Sequence, residues 1–502
     1  MGSKFQFVLG LLLIFLTRPL PAAPCQDTQG DAISVQQKFY QNDLVQTVHL
    51  IIADSDRRRM MNALPECIYV PASFRWNDVT LERVAVRFKG NSSSQPNQKH
   101  KRSYLVRFDK YESNQRFLGL RRVSFDNGVQ FGSLFSEPII TEILQSEGIK
   151  THRCNYAKVY LNDQYQGVYV NVERIDRTFL ENNFPNASGG LWKNDLGGPG
   201  GNLSFIGSET GKYEQTFEAK NKAAKSRGEL VEFIRKINQT SEEDFAKMLE
   251  STMNVDQFFR VTAIMLLSGA FDQLTGWNPH NFYLFHETQR DRWHYLPWDL
   301  DVGFCENAFG RLRVLEDWNA AWPVPAGSSN PLMDRVLSNP DLLNRYRQIA
   351  TEVLEERFQP EQLCESIDKK YQLIRGDLDN DPFPSQRATS RGVEDYGEIV
   401  EAMKIFMRKR FVSANQQLEN PGLRPQNSPS PQSNDRGVPA DFITRIKVIE
   451  VNARGMQQRL QQLQKLMHRV NQHLQRGEHA EADKLLNEAL EISEAAGKPK
   501  ER

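Results

Sequence analysis

Asp272-Gln-Leu-Thr-Gly-Trp-Asn-Pro-His-Asn-Phe-Tyr-Leu-Phe285, followed after a polar gap by Trp293-His-Tyr-Leu-Pro-Trp-Asp-Leu-Asp301, is the stretch on which the reading of this chain turns. Phe282–Phe285 and Trp293–Leu296 are short apolar and aromatic runs separated by a polar turn, the pattern of a β-hairpin. Acidic and amide residues crowd its open end. Asp272 follows a strongly apolar run, Val255 to Ser268, that reads as a helix; Asn278, His280 and Asn281 precede the first strand; Asp299 and Asp301 follow the second. A helix exit and both ends of one hairpin are therefore expected to meet at one rim. Oxygen donors without thiolates suit Mg²⁺. Phosphoryl transfer asks for this set: one carboxylate to orient the attacking hydroxyl or take its proton, an amide and a second carboxylate to hold Mg²⁺ on nucleotide phosphates. His280 and His294 lack an HExxH-type companion and read as structural histidines.

Upstream of the hairpin the pattern is mostly β. Val45–Ile52 reads as a strand, Val84–Phe88 and Tyr104–Phe108 as a pair, and Tyr156–Leu161 with Gly167–Val172 as another. One helix is expected over 137–147, with Ser136 as cap and Gly148 as stop. Between the first strand pair lies Phe88-Lys-Gly-Asn-Ser-Ser-Ser94, a small-residue loop whose backbone N–H groups can approach phosphate, though it is not a Walker A loop. Lys99, His100, Lys101 and Arg102 follow it, with Arg107 inside the next strand; a solvated basic turn is the bland reading. Glu142 on the helix is placed to pair with Lys101 or Arg107, as a lysine–glutamate pair does in protein kinases. A Gly- and Asn-rich stretch, 187–212, reads as an insertion. Downstream, helices are expected over 331–355, 361–376 and 394–418. The fold class is α+β, a β-rich part with one helix (30–180) and then a helix-rich part with an internal hairpin (181–418).

The ends are different in character. Lys4, an apolar core from Phe7 to Leu16 and Pro19-Leu-Pro-Ala-Ala23 form a secretory signal pattern over 1–23, too short for a comfortable membrane span. Pro24 before Cys25 fits a lipid-anchor site poorly, so lipid attachment at Cys25 is the lesser reading. Asn91, Asn186, Asn202 and Asn238 each open an Asn-x-Ser/Thr sequon, which matters only if the host glycosylates exported proteins. Five cysteines without a Cys-x-x-Cys leave room for one or two disulfides and argue against a cysteine zinc site. Residues 419–440 are Pro- and Ser-rich, a linker. Residues 441–498 carry a heptad-like seam (Met456, Leu460, Leu463, Met467, Val470, Leu474), interrupted at Arg476–Glu478 and then resumed. That is a helical hairpin or a short self-associating coil.

Composition narrows the function class. The 502 residues include 63 Lys+Arg and 63 Asp+Glu, for a formal net charge of +0. Overall attraction to nucleic acid or to an anionic membrane is thereby excluded as the main property. Mean hydropathy of -0.58, with one long apolar run, excludes a polytopic membrane protein.

With these residues in view, the chain resembles the CotH kinase family over roughly 45–415. The resemblance rests on Val84-Ala-Val-Arg-Phe-Lys-Gly-Asn-Ser-Ser93, Lys101-Arg-Ser-Tyr-Leu-Val-Arg-Phe108, Val159–Tyr169 with Glu173-Arg-Ile-Asp176, and above all on the hairpin stretch. It implies a bilobed, protein-kinase-like fold and Mg²⁺-ATP-dependent phosphorylation of Ser/Thr hydroxyls on co-exported or coat proteins. On matching positions it implies Asp272 as the catalytic carboxylate, Asn281 as metal amide, Asp299 as metal-binding acid and Asp301 as a second metal acid or a structural one. It also implies Gly90, Ser92 and Ser93 over the phosphates, Lys101 or Arg107 contacting them, and an adenine-contacting hinge near Glu173. The gap between Asp272 and Asn281 is longer than that of ordinary protein kinases, so Asn278 stays open as the metal amide. Arg87-Phe-Lys-Gly also departs from the expected form and leaves the phosphate-contacting base open. The alternatives are a non-catalytic surface or coat binding protein on the same fold, and a nucleotide-sugar glycosyltransferase using Asp299-Leu-Asp301, which lacks the required βαβ start.

Overall fold

The structure is a computed structural model that describes residues 36–90, 94, 96, 101–128, 134–308, 312–326, 328, 330–383 and 395–425, and in the tail 466, 470 and 478–494. The signal pattern, Cys25, Ser92, Ser93, most of the linker and most of the heptad seam lie outside the described residues. The chain divides into Met1–Ser428 and Pro429–Arg502.

Seven strands, β1 (Val45–Ile51), β2 (Val70–Trp76), β3 (Val79–Lys89), β4 (Ser103–Arg107), β5 (Arg122–Asp126), β6 (Cys154–Leu161) and β7 (Gln164–Glu173), close into a barrel. Their order is β1-β2-β3-β4-β5-β7-β6, and the β1–β6 pair that completes the ring is parallel. Closure leaves no strand edge to cover. Side chains two apart share a face, so Val48 and Leu50, Phe74 and Trp76, and Val84, Val86 and Phe88 enter one core together with Phe39 and Phe117. Between β1 and β2 runs α1 (Asp54–Asn62), and between β5 and β6 runs α2 (Ser136–Ser146), which is buried from Ser136 to Thr141 and again at Ile143 and Leu144.

A second core lies beyond the barrel. After α3 (Arg177–Asn183), strands β8 (Leu191–Asn194), β9 (Phe217–Ala219), β10 (Phe282–Glu287) and β11 (Arg292–Pro297) form a sheet of order β11-β10-β8-β9. Helices α4 (Gly228–Gln239), α5 (Glu242–Thr252) and α6 (Val255–Ser268) precede its hairpin. The short pair β12 (Asn307–Ala308) and β13 (Leu312–Arg313) follows, then α7 (Val314–Asp317), α8 (Pro331–Ser338), α9 (Pro340–Arg357), α10 (Pro360–Leu378) and α11 (Tyr396–Glu419). Helix α6 is buried over most of its surface, with Asp256, Gln257 and Arg260 on the face left open. In the second unit, α12 (His479–Glu494) forms over the resumed apolar pattern.

Two departures from the sequence reading have local causes. The 187–212 stretch is not only an insertion: it supplies β8, which pairs with β10 from Phe282↔Asn194 to Phe285↔Leu191. The expected 331–355 helix is two helices. Asn339 accepts from the N–H groups of Asp341 (3.1 Å) and Leu342 (3.0 Å), and Pro340 then opens α9. An Asn cap followed by Pro at the first helical position starts a new helix instead of continuing the old one. Cys67, Cys154 and Cys364 are free thiols.

Candidate active site

The end of α6 sets the first carboxylate. Gly269 takes a left-handed conformation (φ 72°) and caps the helix. Three residues on comes Asp272, at the head of a tight loop. Gly276 sits so close to the Phe271 carbonyl that an added Cβ would meet it at 2.0 Å, so only glycine fits. The buried Gln273 locks this loop to the hairpin: its Nε2 donates to the Trp298 carbonyl (2.9 Å) and its Oε1 accepts from the Tyr295 hydroxyl (3.2 Å).

The hairpin sets the other ligands. Its open end is closed by the Trp298 N–H donating to the Asn281 carbonyl (3.0 Å). On either side of that bond Asn281 (φ 56°) and Asp299 (φ 59°) are both left-handed. Asn and Asp tolerate that region best among residues with a Cβ, and such strain gathers at functional sites. Beyond Asp301 the chain wedges between two helices: Phe304 N–H donates to the Ser268 carbonyl (2.7 Å), and a Cβ on Gly303 would stand 3.1 Å from Ile140.

Asp272, Asn281 and His280 are in direct contact. Asn281 Nδ2 donates to Asp272 Oδ2 (3.1 Å), and His280 Nδ1 lies 3.2 Å from Asp272 Oδ1 and 2.8 Å from the Asn278 carbonyl. Burial works against a charged His280 ring, but the hydrogen bond and charge of Asp272 outweigh it and raise its pKa. Asp299 is pushed up to about 6, by burial first and then by Asp126 and Glu137, against the pull of Lys89 and Lys193. Asp301 is pushed well above the ordinary carboxylate range, by burial first and then by Asp299, Glu137 and Asp272. The three aspartates therefore share one electrostatic field. Even so, among the described residues no three His, Cys, Asp or Glu side chains close around one point as a metal cage.

Three cations gather at the buried Trp298 indole, the residue before Asp299. Lys89, the last residue of β3, is paired with Asp126 and lies 5.5 Å from that ring's centroid. Lys193 of β8 is paired with Asp195 and lies at 5.5 Å. The Arg174 guanidinium, just after β7, covers the same ring at 4.4 Å.

The remaining expected site residues are placed elsewhere or otherwise engaged. Lys101 is buried against Asp381 (2.7 Å) and the Val168 carbonyl (2.6 Å). Arg107 Nε donates to Asp109 (2.7 Å). Glu142 pairs with Lys370 and accepts from Asn42 (3.1 Å), so the expected pairing with Lys101 or Arg107 is corrected: Lys101 points to the end of α10, and α2 turns Glu142 toward Lys370. The acid of α2 that acts on Asp299 and Asp301 is Glu137, whose Oε1 lies 3.0 Å from His152 Nε2. Glu173 is held by Arg153 Nε (2.8 Å) and Nη2 (2.6 Å). Gly90 is an exposed left-handed residue (φ 104°) directly after Lys89. Asn278 is exposed, and the amide brought against Asp272 is that of Asn281. Lys89, Glu137, Arg174 and Lys193 were not among the expected residues. Lys89, just before the glycine of the small-residue loop, and Arg174, inside the quoted Glu173-Arg-Ile-Asp176 stretch, carried readable signals; Glu137 and Lys193 each sit one residue inside a regular element, where nothing in the sequence marks them as site residues.

The chain is 22% identical over 335 residues to the inner spore coat protein H of Bacillus subtilis (strain 168), covering 66% of this chain and 88% of that protein. Among solved structures it is similar to the Helicobacter pylori proinflammatory kinase CtkA, at 12% identity over 71% of this chain and 98% of that one. The TM-score there is 0.24, too low to carry an argument. The family model described as CotH kinase protein matches residues 86–413, well over half the chain and inclusive of β4 to β11 and every contact of Asp272, Asn281 and Asp299 given above. The protein belongs to the CotH kinase protein family.

Proposed function

We propose that the protein is an exported Mg²⁺-ATP-dependent protein kinase that phosphorylates Ser/Thr hydroxyls. On this reading the barrel with α2 is the N-lobe, and the sheet of β8–β11 with its helices is the C-lobe. The observation that carries it is the Asp272–Asn281 contact on the rim of the β10–β11 hairpin, with Asp299 across the rim and three cations around the residue before it, Trp298.

The residues fit a metal that arrives with its nucleotide. Mg²⁺ usually takes one or two protein carboxylates and fills the rest of its shell with phosphate oxygens and water, so a three-acid cage is not required. Asp299, raised by burial and by Asp126 and Glu137, and Asp301, raised by burial and by Asp299, Glu137 and Asp272, are a charge excess that a dication relieves. Asp299 and the amide oxygen of Asn281 would hold it, and when bound it neutralises the charge developing on the phosphates. Asp272 orients the acceptor hydroxyl and takes its proton. Asn281 fixes the Asp272 carboxylate by donating to it. Lys89, with Asp126 setting its position, faces the phosphates in the role expected of Lys101 or Arg107.

Three further assignments follow from the sequence and from its similarity to a relative. The 1–23 pattern supports export, and no helix among the described residues is long and apolar enough to cross a membrane. The similarity to a protein named for the spore coat supports a coat or surface setting for the substrates. The tail, 441–498, is assigned to self-association.

The test is incubation of the secreted form with Mg²⁺, γ-labelled ATP and co-exported proteins. Metal-dependent label on Ser or Thr is expected. No label above a metal-free control, with no ATP binding in calorimetry, would leave the binding-protein alternative. Within this reading Gln273 is a positioning residue. Gln273→Leu keeps the volume and removes both bonds that tie the Asp272 loop to Trp298 and Tyr295. The expected result is a fall in kcat of about 10²-fold with KM for ATP nearly unchanged, since misplacement by about 1 Å costs that much. Equal changes in kcat and KM would count against it.

A further inference from the structure

Among the described residues, Nε and Nη1 of Arg174 are buried and have no hydrogen-bond partner. A guanidinium is charged at any accessible pH and has donors only. Leaving two of them buried and unpaired costs stability. Lys89 and Lys193, which lie near the same Trp298 ring, each hold a carboxylate, Asp126 and Asp195. Asp126, Asp195 and Asp176 contribute to the field at Arg174, but none of them bonds to its Nε or Nη1.

Arg410 gives the contrast. It too has Nε and Nη1 unpaired, but its Nη2 donates to the Leu266 and Trp318 carbonyls (2.9 Å each), so it braces the end of α6 from α11. No nitrogen of Arg174 makes such a bracing bond to a described residue. Its plane instead lies over the indole that precedes Asp299, at the junction where the barrel's last strand leaves for the second core.

We propose that Arg174 is the phosphate clamp of this site: its unpaired donors take oxygens of a polyphosphate lying between Lys89 and Lys193. The inference rests on the nucleotide reading above and deepens it by naming the residue that distinguishes a polyphosphate from a neutral ligand. Among the described residues Asp126 and Asp195 balance two of the three cations, so the charge left without an ionic partner at this ring is that of Arg174. Binding there joins a residue of the barrel (Lys89), one of the junction (Arg174) and one of the second sheet (Lys193).

The experiment uses the full chain and inorganic pyrophosphate with chelator present, so that neither metal nor catalysis enters. Wild type is expected to melt at a higher temperature with pyrophosphate. Arg174→Met is expected to bind pyrophosphate at least about tenfold more weakly, while its ligand-free melting point equals or exceeds that of wild type, because an unpaired buried charge has been removed. Arg174→Lys, which keeps the charge and loses the planar donors, is expected to lie between; if the Met variant does not fold, the Lys variant decides by the same affinity measure. Unprotected wild type, unchanged affinity in the variants, or a ligand-free melting point that falls in Arg174→Met overturns the clamp. ATP in a parallel arm separates the two readings. ATP binding equal in wild type and Arg174→Met removes the clamp and keeps the nucleotide site; pyrophosphate bound through Arg174 with no ATP binding keeps the clamp and removes the nucleotide.

Discussion

Asp272→Asn is expected to bind Mg²⁺-ATP within a few-fold of wild type and to transfer the γ-phosphate about 10²–10⁴-fold more slowly, the range for losing a general base. The argument is geometric. Asp272 touches Asn281 through Oδ2 and His280 through Oδ1, so an amide of the same shape can keep the loop in place. What it loses is the capacity to accept the acceptor's proton. Asp299→Asn should divide differently. Asp299 lies in the field of Lys89, Asp126, Glu137 and Lys193, and its negative charge is what a metal-nucleotide meets. Its variant is expected to lose Mg²⁺-ATP affinity as well as rate, and the ligand-free protein should tolerate the change, since burial already disfavours the charge there. Calorimetric affinity and steady-state kinetics on the two variants check the split. Identical losses of affinity in both would remove the separate roles given to the two aspartates.

The hairpin was legible because each strand is bounded by polar residues and reads as an aromatic run. Helix α6 was legible because Val255 to Ser268 is strongly apolar, with Asp256, Gln257 and Arg260 confined to its first half, and Gly269 stops it. Those two elements fix where Asp272, Asn281 and Asp299 emerge. The barrel's closure was not legible: the parallel pairing of β1 with β6 joins residues more than 100 positions apart, and no local pattern announces it. Strand β8 was hidden for another reason. Its four residues are all buried, so no alternation marks them, and glycines flank them on both sides. The basic residues at Trp298 failed for the opposite cause to Lys101. Lys101 stands in a basic run that drew the phosphate reading, whereas Arg174 and Lys193 are single basic residues between unlike neighbours, and only the fold turns them inward.

Lys101 gives the largest stability effect to be expected outside the site. Asp381→Ala should destabilise the protein by about 3–5 kcal/mol, the usual result of removing one partner of a buried ion pair. Both side chains are 2% exposed. Asp381 Oδ2 accepts from Lys101 Nζ (2.7 Å) and from Val168 N–H (3.2 Å), while Oδ1 accepts from Phe383 N–H (3.0 Å). Gly167 has no room for a Cβ because the same carboxylate occupies that space, at 2.2 Å. Barrel strand β7 and the segment after α10 are thus joined through one carboxylate. Burial already lowers the Lys101 pKa, and Asp381 is the group that opposes the shift. Without Asp381 the folded lysine releases its proton more readily than the unfolded one. The unfolded state then binds more protons, so the variant regains stability as pH rises toward the ordinary lysine value of about 10.4. The double variant Lys101→Met/Asp381→Leu should recover most of the loss at neutral pH, because apolar residues of similar volume often replace a buried pair without cost. It should also bind Mg²⁺-ATP as wild type does. Thermal unfolding across pH and calorimetry with ATP read all three results. A double variant that folds but has lost ATP binding would return Lys101 to the phosphate site, and an Asp381→Ala melting point equal to wild type would mean that the pair holds nothing together.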